Sequence, residues 1–229
     1  TSVGSSNNVA VPPNAGFALR VQGQATVTVA FDGGSSSVTT QSASTWRYFR
    51  IDVPAGVLGW DVRLVNVTGG SPRLVVRRDQ LPGSLETSNV SGNSGNWPSG
   101  GQWGGGDDLT GYRYGADGTN EYGRGLYMGL GMPLEAGTYY VGVTNASGTT
   151  AAMSYTLQSR GIGTGQSLPA TALAFAGGSE TRTLGPREVA YYKVSVPAGQ
   201  TSWQVKLGAT TGDVTLAVGK DFLPNVATP

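Results

Sequence analysis

An all-β protein of tandem antiparallel β-sandwich units, the second incomplete, is expected from three features of the sequence. Glycine and proline recur throughout, 37 and 12 residues respectively. That punctuation suits short strands joined by turns and suits long helices poorly, since an interior Gly costs a helix about 1 kcal/mol relative to Ala. Apolar and polar residues alternate at period two in several short runs, as in a sheet with one buried and one wet face. One part of the sequence also returns later in the same order, which resets the domain count.

Taken in order, residues 1–22 are an N-terminal segment in which FALRV from Phe17 resembles YTLQS from Tyr155. It is expected to be the closing strand of a preceding unit. The opening TSVGSSNNVAVPPNAG carries no initiator Met and no basic-then-apolar leader, the pattern expected of a mature or trimmed product. Residues 23–160 read as a complete unit. Phe49, Ile51 and Val53 alternate with Tyr48, Arg50 and Asp52, and after the turn Pro54-Ala55-Gly56, Trp60, Val62 and Leu64 alternate with Asp61 and Arg63. Further strands are expected at Leu74–Val76, Leu126–Leu130, Thr138–Val143 and Ser154–Gln158. A long Gly/Asn/aromatic insertion occupies 89–123, residues 161–171 form a linker, and 172–229 are a partial second unit.

The repeat joins WRYFRIDVPAGVLGWDVRL, from Trp46, to VAYYKVSVPAGQTSWQVKL, from Val189. Phe49 matches Tyr192, Ile51 matches Val194, Pro54 matches Pro197 and Trp60 matches Trp203, all at one offset. FDGGS from Phe31 matches FAGGS from Phe175, and LVVRRDQLP from Leu74 matches LAVGKDFLP from Leu216. Trp60 and Trp203 are both expected in a core. Nothing after Leu223-Pro224 matches Leu126–Leu130, Thr138–Val143 or Ser154–Gln158. Half a sandwich leaves an apolar face and sheet edges uncovered. A longer polypeptide or another chain is therefore expected to supply the strands, head-to-tail donation included.

Composition also excludes. There is no His and no Cys, so disulfides, thiolate nucleophiles, Cys/His zinc sites and His-based triads are ruled out. A net charge of +1 leaves no footprint for nucleic acid or an anionic membrane, and no apolar run is long enough to span a bilayer. The three lysines, Lys193, Lys206 and Lys220, all lie in the partial unit. Asp52 and Asp61, beside Arg50 and Arg63, read as weak surface pairs on the wet face. Arg73, Arg77 and Arg78 read as charges that solubilise a strand edge. No catalytic residues are expected, and the chain reads as a non-enzyme.

The insertion holds the candidate binding residues. Trp97, Trp103, Tyr112, Tyr114 and Tyr122 offer flat faces for stacking on sugar rings. The favoured reading of the same aromatics is a small core beneath a Gly-rich loop. Asp107, Asp108, Asp117, Asn120 and Glu121 offer oxygen ligands for Ca²⁺, although their order is not that of an EF-hand loop and Asp-Gly is an ordinary turn former. Asp107 and Glu121 can be written as a glycosidase pair, but nothing else in the chain supports that chemistry. Sequons fall at Asn66, Asn89 and Asn145.

These motifs carry a resemblance. The pieces Tyr48–Gly56, Trp60–Leu64, Leu74–Val76, Leu134–Val143 and Tyr155–Leu157 are similar to the bacterial pre-peptidase C-terminal domain family. The likeness covers about 25–160 and, in part, 173 onward. It implies jelly-roll-like β-sandwich units of a secreted or cell-surface bacterial protein, non-catalytic and accessory to other domains. Some relatives bind calcium near a domain edge. Here Gly70-Ser71-Pro72-Arg73 stands where the family has an acidic residue before the Leu-x-Val strand, while the second copy has Asp213. A carbohydrate-binding module working through the rings of 97–122 is the alternative, with a polysaccharide in place of a protein partner.

Overall fold

The computed structural model describes residues 23, 25–86, 88–90, 97–104, 125–128, 134–146, 150–185, 188–208, 211–212 and 214–224. Regular structure among them is entirely β. The strands are β1 (Thr26–Thr28), β2 (Gly34–Gln41), β3 (Trp46–Val53), β4 (Gly59–Thr68), β5 (Pro72–Arg78), β6 (Gln102–Gly104), β7 (Gly125–Met128), β8 (Gly137–Asn145), β9 (Met153–Ile162), β10 (Ala170–Leu173) and β11 (Tyr191–Val194). One sheet runs β1-β3-β8-β5-β6, a second β2-β9-β4-β7, and β10 pairs with β11.

The first two sheets face each other in a sandwich-like arrangement. The period-two alternation sends Phe49, Ile51 and Val53 of β3, Leu74 and Val76 of β5, and Tyr139, Val141 and Val143 of β8 into one cluster. Trp60, Val62 and Leu64 of β4 and Met153, Tyr155 and Leu157 of β9 enter it from the other side. Each such burial stabilises by about 1.5–3 kcal/mol. Most neighbours are antiparallel, but β1–β3 and β10–β11 are parallel, so the antiparallel expectation is corrected to mixed sheets. The chain leaves β1 through the turn at 31–33, runs back as β2 in the opposite sheet and returns as β3. Two reversals restore the direction.

Strand β9 is the centre of its sheet. It pairs with β2 from Gly34↔Ser159 to Gln41↔Met153 and with β4 from Gly59↔Ile162 to Thr68↔Ser154, whereas β2 and β4 are not neighbours. At one end of the sandwich, buried polar groups satisfy one another. Asn145 donates to the Gln41 and Ala151 carbonyls and accepts from the Ser71 amide; Tyr155 donates to Gln41 Oε1. This buries the Asn145 side chain, so that sequon is closed to modification.

The stretch 170–223 reproduces several local details of 25–80. Thr171↔Tyr192 repeats the register of Val27↔Phe49. Gly33 and Gly177 have φ of 69° and 76°, in matched turns that only glycine enters without strain. Phe31 and Trp60 lie 6.2 Å apart at 41°, Phe175 and Trp203 6.5 Å apart at 39°. The strand expected at Trp203–Leu207 is nevertheless absent, as is one at Leu216–Val218; among the described residues of this stretch the strands are β10 and β11.

Candidate functional site

Trp97 and Trp103 are 2% and 5% exposed and belong to the sandwich core, so of their two expected uses they serve as core and do not present free faces. Trp97 packs edge-on against Tyr139 at 5.5 Å, and Arg78 donates to its carbonyl and to the Glu135 carboxylate. Trp103 sits in β6, paired with Val76 of β5. Residues 97–104 thus pack against the sheet, because two indoles gain more from burial than from water. Neither indole N–H meets an acceptor among the described residues. Arg77 donates to the Gly100 carbonyl at 3.0 Å, so Arg77 and Arg78 tie the loop to the strand. Tyr112, Tyr114, Tyr122 and the Ca²⁺ candidates Asp107, Asp108, Asp117, Asn120 and Glu121 lie outside the described residues. Among the described residues, no three acidic side chains gather around a point that would hold a metal ion.

Asp61 is not a surface residue. It is fully buried, with Arg63 Nη2 at 3.0 Å and Arg160 Nε at 2.7 Å, and Arg63 reaches on to Glu188 at 2.8 Å. Burial pushes the Asp61 carboxyl upward, and the two guanidinium groups pull against that rise. The strand alternation predicted a wet face correctly for Asp52; at Asp61 that face is covered by Glu188 and Tyr191 from the following stretch. Tyr191, whose hydroxyl burial pushes well up, joins Ile162, Leu168, Ala170, Val189 and Leu223 in a second small core. Asp32 anchors the same junction, accepting from the Gly161 and Ser167 amides at 2.8 and 3.0 Å. Desolvation raises its carboxyl, but the hydrogen bonds from Ser167, Gly161 and Gly33 outweigh that and hold it below the usual range.

The remaining feature is an uncovered apolar face, which the pattern of strand partners explains. In the sandwich, β4 pairs with β9 and β7, β2 with β9, and β5 with β8 and β6. None of those partners has a counterpart in 170–223, and the stretches matching β2, β4 and β5 stay unpaired. The match to β1 and β3 contains both partners and pairs. Accordingly Trp60 is 0% exposed and Trp203 43%, while Val205, Leu207, Leu216 and Val218 all stand open. Backbone groups along 202–208 and 178–185 are free of any strand ladder. An apolar row flanked by unpaired amides and carbonyls is suited to receiving an extended polypeptide. The core position expected for Trp203 is thereby corrected, since the strands that would cover it have no counterpart in this stretch.

One further contact lies in the covered core of the sandwich. Trp60 Nε1 donates to Ser159 Oγ at 2.7 Å, and Ser159 Oγ donates to the Phe31 carbonyl at 2.6 Å. The hydroxyl on β9 therefore closes the core polar groups of its neighbours on both sides. No helix among the described residues is long and apolar enough to cross a membrane. No family model, curated protein or solved structure matches the chain.

Proposed function

We propose that this chain is a non-catalytic accessory or structural module of a secreted bacterial protein, working within a larger multi-domain or strand-complemented assembly. In this reading 25–162 is a jelly-roll-like unit of the pre-peptidase C-terminal type, and 170–223 is part of a second unit whose inner face accepts further strands. The observation that carries it is the contrast between matched positions: Trp60, Val62 and Leu64 are buried, Trp203, Val205 and Leu207 exposed. Each uncovered side chain forgoes about 1.5–3 kcal/mol of burial, and the local geometry around Phe175 and Trp203 is already that of the covered pair.

The test extends the chain by a second copy of residues 125–162, joined after Leu223. The extended protein is expected to bind less of an apolar-surface dye and to shift Trp203 emission to shorter wavelength. If dye binding and emission are unchanged, 170–223 is not a unit awaiting strands, and the reading fails.

A further inference from the structure

We infer that the open face selects its partner strand by a side-chain code, Leu-x-Ser-x-Gly, in which the serine hydroxyl is read by Trp203 and Phe175; this rests on the function proposed above. The occupant is an extended polypeptide strand of the β9 pattern, lying antiparallel to Trp203–Leu207. The sandwich itself supplies the template, since the same pair of rings is seen there with its strand in place.

On β9, Leu157, Ser159 and Gly161 face Leu64, Val62 and Trp60 respectively. By the sequence match these positions face Leu207, Val205 and Trp203. Leu157 fills the core. Ser159 takes the indole proton of Trp60 and gives its own to the Phe31 carbonyl. Gly161 must lack a side chain, because a Cβ there would come within 2.7 Å of the Phe31 ring. Phe175 and Trp203 hold the same mutual distance and tilt as Phe31 and Trp60. A strand that covers Trp203 therefore meets the same crowding from Phe175 and the same indole N–H in search of an acceptor. Left unanswered, a buried donor lowers affinity roughly tenfold or more. Residues Phe17–Gly23 match this code at Leu19 and Gly23 but place Val21 where the hydroxyl belongs, so this segment is a poorer occupant than β9.

The experiment titrates the 229-residue chain with a labelled peptide of residues 153–162, reading anisotropy. Parallel titrations use the same peptide with Ser159→Val and a peptide of residues 15–24. The 153–162 peptide is expected to bind, and binding should vanish when the chain carries Val205→Asp, a change at an exposed position outside any strand. The Ser159→Val and 15–24 peptides should each bind about tenfold more weakly. A chain with Trp203→Phe keeps the ring but not its N–H, and it should bind the Ser and Val versions of the 153–162 peptide alike. Equal binding of those two to the unaltered chain, or a difference that survives Trp203→Phe, overturns the code and leaves the proposed function standing. No binding of the 153–162 peptide, or binding indifferent to Val205→Asp, overturns both.

Discussion

Residues 25–82 and 170–224 carry matching sequence and opposite exposure. In the first, the inner residues Phe49, Trp60, Val62 and Leu74 are buried, while Tyr48 and Leu81 on the outside reach solvent. In the second, Tyr192, Trp203, Val205 and Leu216 are exposed, and Tyr191 and Leu223, which match Tyr48 and Leu81, are buried against Ile162 of β9. The same apolar alternation thus buries whichever face finds a surface. Period two in a sequence says that two faces differ; which one is covered depends on what lies opposite.

The matched tryptophans should differ most. Trp60→Ala is expected to cost about 3–5 kcal/mol, from lost burial and the cavity left behind. Trp203→Ala should stay within about 0.5 kcal/mol, as for an exposed position. Urea unfolding of the two variants measures both, and equal shifts in midpoint would mean that the two environments are alike.

A similar pairing separates the two strand aspartates. Asp61→Asn removes the charge that Arg63 and Arg160 share in a part-buried cluster and should cost about 3 kcal/mol. Asp52, with its half-exposed Arg50 partner, should lose no more than about 0.5 kcal/mol as Asn. Thermal melts in low and high salt check this, because only the exposed pair is screened effectively. Ser159→Ala leaves the Trp60 indole without its acceptor, with an expected loss of about 1–3 kcal/mol. Restoring a hydroxyl as Ser159→Thr should recover part of it.

The smallest effect concerns pH. Asp32 is held below the ordinary carboxylate pKa of about 3.9 by the Ser167, Gly161 and Gly33 hydrogen bonds. Its contribution is therefore fully present above that value and is lost as pH falls through the lower folded one. Asp32→Asn should flatten the acid limb of stability against pH below about pH 4. The matched residue in the second stretch is Ala176, which has no such dependence.

Much of the fold was legible because alternation and turn chemistry are local. Pro54-Ala55-Gly56 ends β3 as expected, whereas β11 stops at Val194, short of Pro197-Ala198-Gly199; Gly56 and Gly199 share φ of 78° and 80°. The candidate site was less legible. Trp97 and Trp103 look alike whether they stack on a ligand or pack into the core, since both uses need a flat apolar ring. Asp52 and Asp61 occupy the same phase of consecutive strands, and nothing local says that Glu188 will arrive above one of them.

By itself the sequence determined the all-β character, the turn positions and the match between two stretches, because these rest on backbone preference and on side chains two or four residues apart. The tertiary structure decided which matched residues are covered, that β1 and β3 run parallel, and that a single hydroxyl on β9 joins Trp60 to Phe31. Those outcomes depend on strands that are not consecutive in the chain, such as β4 and β9 or β1 and β3, meeting in one sheet, and such pairing follows from which partners are present rather than from any local pattern.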